Sequence, residues 1–253
     1  MTYRSNVAVV YLLCFFLDLI NMFIASVAFP AMAHAFNTTP SALAWVSNGY
    51  IAGLPLVIPF SSVLTRRIGP KRVILLSLFL FSAASAAAGL SATLESLIAW
   101  RVLQGVGGGL LIPVGQALTW QQFRPHERAR LSSAVMLVAL LAPACSPAIG
   151  GLLVQTLSWR WIFFATLPVA IVTFVLACLW LKHEMPAMKA TRLLNLSLLA
   201  DPLLRFSMLV YICVPGMFIG VNVTGMFYLQ HVANMSPAAT GMLMLPWSVA
   251  SFI

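Results

Sequence analysis

Apolar positions along this chain do not alternate and do not recur as a one-sided helical stripe. They run on without interruption for about 20 residues at a time, the length a helix needs to cross a hydrocarbon core of roughly 30 Å. Backbone in lipid must satisfy its own hydrogen bonds, so such runs are read as helices. Seven full spans are predicted: Val7–Met32, Ala42–Leu64, Val73–Ser91, Ser96–Trp120, Leu131–Leu157, Trp161–Leu181 and Phe206–Gln230. An eighth starts near Thr240 and meets the last residue, Ile253. Its fourteen residues reach only about 21 Å at helical rise, so the sequence is expected to stop inside a span.

Composition agrees with that reading. Hydrophobic residues make up 61% of the 253 and charged residues 8%, against about 25% charged in a soluble domain. The net charge of +9 would suggest nucleic acid on a soluble protein, but its placement does not. Arg4 precedes span one; Arg66, Arg67, Lys71 and Arg72 follow span two; Arg124, Arg128 and Arg130 follow span four; Lys182, Lys189, Arg192 and Arg205 follow span six. The opposite loops hold only Arg160. The positive-inside rule therefore predicts a cytoplasmic N-terminus and no nucleic-acid partner. The partners expected are the lipid bilayer, a small-molecule substrate and protons.

Loops are short except for Lys182–Arg205, which follows six spans and reads as a linker. The expected organisation is a six-helix transmembrane bundle over 1–181, a cytoplasmic linker over 182–205 and the start of a second bundle over 206–253. Arg192–Ala200 reads either as an amphipathic helix on the membrane surface or as a plain polar linker. The four cysteines, Cys14, Cys145, Cys178 and Cys213, lie within spans and read as small hydrophobes. The four histidines show no ligand spacing and no serine–histidine–acid set is suggested, so neither a metal, a cofactor nor an enzyme is expected.

Two charges inside spans carry the candidate chemistry. Asp18 is the only acid within a span and Arg101 the only base. An ionisable group in hydrocarbon is expensive and faces the bundle interior or water. Asp18 is read as a proton site or as a structural buried acid, and Arg101 as its functional companion or as a residue snorkelling from a helix end. Asn21 lies one turn from Asp18 on the same face. Asn21, Asn48 and Gln116 are candidates for a substrate cavity, since amides avoid lipid. Trp45, Tyr50, Phe60, Met22, Met136 and Met217 are apolar cavity candidates, or simply lipid-facing or core. The glycines Gly105, Gly107, Gly108 and Gly109 sit inside an apolar span, where small faces for helix packing are expected and a phosphate loop is not. Pro55 and Pro59 are expected to bend span two.

Several segments together carry a family resemblance. Ser61–Arg72, SSVLTRRIGPKR, is a tight basic turn between spans two and three. It resembles the G-x-L-a-D-r-x-G-r-K loop of the major facilitator superfamily: Leu64, Arg67, Gly69 and Lys71 match, while Ser62 stands for the glycine and Arg66 for the acid. Arg101-Val102-Leu103-Gln104-Gly105-Val106-Gly107 resembles the family's span-four R-x-x-Q-G-x-G. Ala142, Pro143, Ser146, Pro147, Gly150 and Gly151 resemble the span-five antiporter motif G-x-x-x-G-P-x-x-G-G, with Ala142 and Ser146 replacing glycines. Trp45-Val46 with Tyr50, Ser158–Phe164, and Thr240-Gly241 with Pro246 look like further segments of the drug:proton antiporter branch.

The resemblance implies an all-α membrane protein with the family's N-terminal six-helix bundle, plus one and a half helices of a second half. The implied activity is proton-coupled export of drugs or other small molecules from the bacterial inner membrane by alternating access. Arg66, Arg67, Gly69 and Lys71 would form a cytoplasmic gate loop, with the sign at position 66 reversed. Asp18 and Arg101 would serve proton coupling. Anchored on Val27-Ala28-Phe29-Pro30, the branch's span-one acid falls on Asn21, so Asp18 is a displaced version of it or a different site. Lys182–Arg205 leaves no room for the two extra helices of fourteen-helix relatives. The chain taken alone is expected to be a truncated, inactive form, active only with the missing C-terminal half or a second copy. Export of another solute, such as a sugar or metabolite, and a non-transporting membrane scaffold are the alternatives.

Overall fold

The structure is a computed structural model that describes residues 2–182 and 200–210, with Cys213, Met217 and Tyr228. It divides into two units, Met1–Leu193 and Leu194–Ile253. In the second unit residues 202–210 are helical, and Asp201 Oδ1 accepts the Leu203 N–H at 2.9 Å as a start signal. Most of the expected linker, its Arg192–Ala200 segment and most of the seventh and eighth spans lie outside the described residues.

The first unit is helical throughout, with no strand among the described residues. Helix α1 covers Tyr3–Val27 and α2 covers Phe29–Phe36. Span one was expected to run unbroken to Met32; it ends at Val27 instead. Pro30 has no N–H to give the carbonyl four residues back, so the helix restarts rather than continues. Asn37, at φ 48°, closes α2 in the left-handed region that asparagine tolerates. Thr39 then accepts the Ala42 N–H at 3.4 Å and opens α3, Pro40–Val57. At Ile58–Phe60 the helix tightens to a 3-10 turn around Pro59 before α4, Ser61–Ile68. The bend expected of span two is that turn.

Gly69 alone separates α4 from α5, Pro70–Gly89. Its φ of 86° and ψ of 151° belong to a region essentially reserved for glycine, and Pro70 then starts α5 where a missing N–H does no harm. A reciprocal pair, Thr93 and Ser96, caps α6, Leu94–Gln122. A 3-10 turn at Pro125–Glu127 leads to α7, Arg128–Thr156, which runs unbroken through Pro143 and Pro147. The short α8, Trp161–Phe164, and α9, Leu167–Trp180, complete the unit. Among the described residues six stretches are long and apolar enough to cross a membrane: Tyr3–Val27, Ser41–Ile68, Pro70–Gly89, Leu94–Gln122, Arg128–Thr156 and Trp161–Trp180.

Helix α6 is the hub, packed on α1, α3 and α5, while α1 also meets α7 and α9. Without a hydrophobic drive between helices in lipid, close backbone approach must come from small residues. A methyl group on Gly105 would lie 2.1 Å from the Tyr50 carbonyl oxygen, and one on Gly109 2.3 Å from that of Leu54. One on Gly53, from the α3 side, would lie 2.3 Å from the Val102 carbonyl. Helices α3 and α6 therefore touch backbone to backbone. On α7, Ala142, Ser146 and Gly150, each four residues on, are buried, and Gly150 faces Ile24 of α1. Large apolar side chains such as Leu76, Phe79, Leu152 and Leu179 point outward, as expected of surfaces solvated by lipid. Cys14 is buried as expected; Cys178 is exposed, on such an outward face.

One end of the bundle gathers polar contacts between distant segments. Arg4 Nη1 donates to Glu127 Oε1 at 2.6 Å, and the Lys71 ammonium to the Cys178 carbonyl at 2.6 Å. The Lys182 ammonium lies 4.9 Å from the Tyr3 ring centroid. The Arg124 backbone N–H, with help from Arg4, holds the Glu127 carboxyl below the usual carboxylate range. These are the segments in which the basic loops fall.

Candidate functional site

In the middle of the bundle α1, α3 and α6 enclose a cluster of polar side chains. The backbone contacts between α3 and α6 bring Tyr50 and Val46 within reach of α6, and α1 adds Asp18 and Asn21 from successive turns of one face. Arg101 is fully buried, which removes the snorkelling alternative. Its Nε donates to the Val46 carbonyl at 2.9 Å. Its Nη1 donates to Asn21 Oδ1 at 2.9 Å and to Gln104 Oε1 at 2.8 Å. Its Nη2 donates to the Asn21 carbonyl at 3.1 Å. Every one of these acceptors is neutral. The guanidinium also lies 4.5 Å from the Tyr50 ring centroid and 5.7 Å from that of Phe163.

Gln104 Nε2 donates to the same Asn21 Oδ1 at 2.9 Å. With two donors on Oδ1 the amide orientation of Asn21 is fixed, and Nδ2 is left as a buried donor without an acceptor. Asp18 is 3% exposed. Its Oδ1 accepts the hydroxyl hydrogen of Tyr50, a residue that is itself fully buried. A buried acid and a buried base thus lie either side of one tyrosine, in a site that excludes lipid. Such a pair can take up and release a proton while the base stays charged.

The sequence-predicted residues divide into groups. Asp18, Asn21 and Arg101 come together. Asn48 and Gln116 do not join them and are exposed on the described bundle, as are Trp45, Phe60 and Met136. Among the motif residues of α7, Gly150 packs on Ile24 and Val27 of α1, away from the hydrogen-bonded cluster. Arg66 and Arg67 are exposed at the end of α4, and Gly69 and Lys71 flank the turn. Tyr50 is the residue whose role sequence reasoning missed. It was read as a candidate for an apolar cavity wall or as lipid-facing or core; it is buried in the core, and its hydroxyl is also the partner of the acid. The available signal was its register, a tyrosine with Gly53 one turn on.

A bundle of long apolar helices with a buried acid and a buried base between three of them defines a polytopic integral membrane protein. The chain belongs to the Major Facilitator Superfamily, whose sequence profile it matches over residues 11–253. It is 33% identical over 168 residues to the Multidrug resistance protein B homolog of Mycobacterium tuberculosis (strain CDC 1551 / Oshkosh), a stretch that is 66% of this chain and 31% of that protein. It is 36% identical over 168 residues to the putative multidrug resistance protein MdtD of Yersinia enterocolitica, 66% of this chain and 35% of that one. Against MdtD of Salmonella typhi the identity is 37% over 161 residues, 62% of this chain and 34% of that protein. The matched stretch thus spans about a third of the length of these relatives. The chain is thus a multi-pass membrane protein of that superfamily, similar over this stretch to proteins named for multidrug resistance.

Proposed function

We propose that residues 1–181 form the N-terminal half of a proton-coupled exporter of small molecules in the bacterial inner membrane. One observation carries this: an acid and an arginine, the only charges within the apolar runs Val7–Met32, Ala42–Leu64, Val73–Ser91, Ser96–Trp120, Leu131–Leu157 and Trp161–Leu181, are both buried where three helices meet. A charged side chain at the bilayer centre costs about 2.5–3.5 kcal/mol even on translocon-insertion scales, and a proton site is the task that accounts for these two. Multidrug resistance in the names of the relatives supports export of apolar or amphipathic compounds.

Alternating access places the substrate between two pseudo-symmetric halves. Residues 206–253 would be the first segment of the second half, joined by a cytoplasmic linker over 182–205. Asp18 takes a proton in one gate state and releases it in the other. Arg101, held by Asn21 and Gln104, keeps a fixed positive charge beside it. The free Nδ2 of Asn21 is offered to a polar group of the substrate when the cavity opens, with Asn48 and Gln116 on its wall. The turn bearing Arg66, Arg67, Gly69 and Lys71 is the cytoplasmic gate, and the small face of α7 lets α1 slide against it.

The test is transport in inverted vesicles, with this chain joined to the second half of a relative and a fluorescent lipophilic cation as probe. The parent should take up the probe when a proton gradient is imposed. Asp18→Asn should lose gradient-driven uptake and keep binding. Driven uptake by Asp18→Asn at the parental rate would defeat the reading.

A further inference from the structure

We propose that Tyr50 is the positioning residue of this proton site: its hydroxyl holds the Asp18 carboxyl, and its ring conveys the acid's charge state to Arg101. The inference rests on the proton-coupled reading and adds a residue that is neither the acid nor the base.

The geometry around Tyr50 is specific. Among the described residues its hydroxyl is the side-chain hydrogen-bond partner of Asp18. Its ring lies 4.5 Å from the Arg101 guanidinium carbon, while the guanidinium gives its hydrogen bonds to Val46, Asn21 and Gln104. The acid and the base are therefore joined through the tyrosine. Two glycines of α6 make room for this. A methyl group on Gly105 would lie 2.1 Å from the Tyr50 carbonyl oxygen. One on Gly108 would lie 2.6 Å from Asp18 Oδ1 and 2.8 Å from the Tyr50 hydroxyl oxygen. A side chain at either position would drive the tyrosine away from the acid. The ionisable groups facing Asp18 are Cys14 on its own helix, Tyr50 from α3 and Arg101 from α6.

A charged carboxylate draws on the phenolic hydrogen and makes a charge-assisted bond, roughly twice as strong as a neutral one. That polarisation raises the electron density of the ring, and the ring attracts the guanidinium more strongly. When Asp18 takes up a proton the charge assistance is lost, and the ring's hold on Arg101 slackens with it. The arriving proton goes onto a carboxylate oxygen and later leaves from it; the phenol keeps its own hydrogen throughout. One protonation on α1 is thereby felt by α3 and α6 together.

Infrared difference spectroscopy between acid and alkaline samples of the purified chain in lipid nanodiscs tests this without requiring transport. The C=O stretch of protonated Asp18 is identified by its absence from Asp18→Asn. In Tyr50→Phe, which keeps the ring and removes only the hydroxyl, that stretch should move to higher wavenumber, as for a carboxyl that has lost a hydrogen-bond donor. Conversely, with ring-labelled tyrosine, a phenol C–O band should shift between the parent and Asp18→Asn. That second measurement holds even if Tyr50→Phe fails to fold. A titrating Asp18 band that is indifferent to Tyr50→Phe, or tyrosine bands that are indifferent to Asp18→Asn, overturns the proposal alone. A parent in which no Asp18 band titrates overturns the proton-coupled reading and the proposal with it.

Discussion

At position 101 a lysine would keep the charge and lose the geometry. The guanidinium reaches four acceptors on three helices and stacks on Tyr50; an ammonium has three donors on one atom and no planar face. Arg101→Lys cannot reach all four acceptors at once, so at least one hydrogen bond of the guanidinium is lost. A hydrogen bond to a charged group typically contributes about 1.5–3 kcal/mol. Arg101→Lys should therefore melt at a clearly lower temperature in detergent than the parent, and a surface change such as Arg124→Lys should not. Equal melting of the three proteins would show that charge alone holds the cluster.

Between elements, the α3–α6 contact is the tightest and the most easily tested. Gly105→Ala adds one methyl group against the backbone of α3, where no rotamer change can relieve it. Overpacking of this kind costs about 1–3 kcal/mol. Gly151→Ala, whose new methyl would meet only Val27 Cγ1 at 4.0 Å, should be tolerated. Thermal unfolding followed by fluorescence size exclusion separates the two, and equal loss in both variants would contradict the packing described. The sequence made part of this legible. The glycine-rich run on span four and the small residues at 142, 146 and 150 announce close helix packing, because a glycine in an apolar helix has little other use. Asp18 and Arg101 are visible as the only charges in their spans. Gly53 carries no motif and was not singled out. The partner of the Tyr50 hydroxyl was not legible because it lies 32 residues away, and tyrosine in an apolar run has several ordinary uses. The early end of span one at Val27 was hidden because hydropathy does not register the missing N–H of Pro30.

For the whole molecule, the orientation in the membrane is the main expectation to check. The segments carrying Arg4, Lys71, Glu127 and Lys182 meet at one end of the bundle, and the basic excess lies there. Short basic loops stay cytoplasmic. Alkaline phosphatase joined after Asn37 should be active, as expected of a periplasmic loop, and inactive when joined after Gln121. The reverse pattern would invert the topology and with it the direction of transport. Six crossings were legible from hydropathy alone; the crowded order of helices around α6 was not, since it follows from glycine contacts between spans far apart in sequence.

The broken second crossing has a further consequence. Pro55 and Pro59 have no N–H, so the carbonyls of Ile51 and Pro55 lack their usual donors four residues on. Both residues are exposed on the described bundle. Hydrocarbon offers such carbonyls no replacement donor, so that side of the crossing suits water or protein better than lipid. Whatever covers it in the working transporter, be it a water column or the polar flank of an opposing helix, has to bring hydrogen-bond donors to that depth.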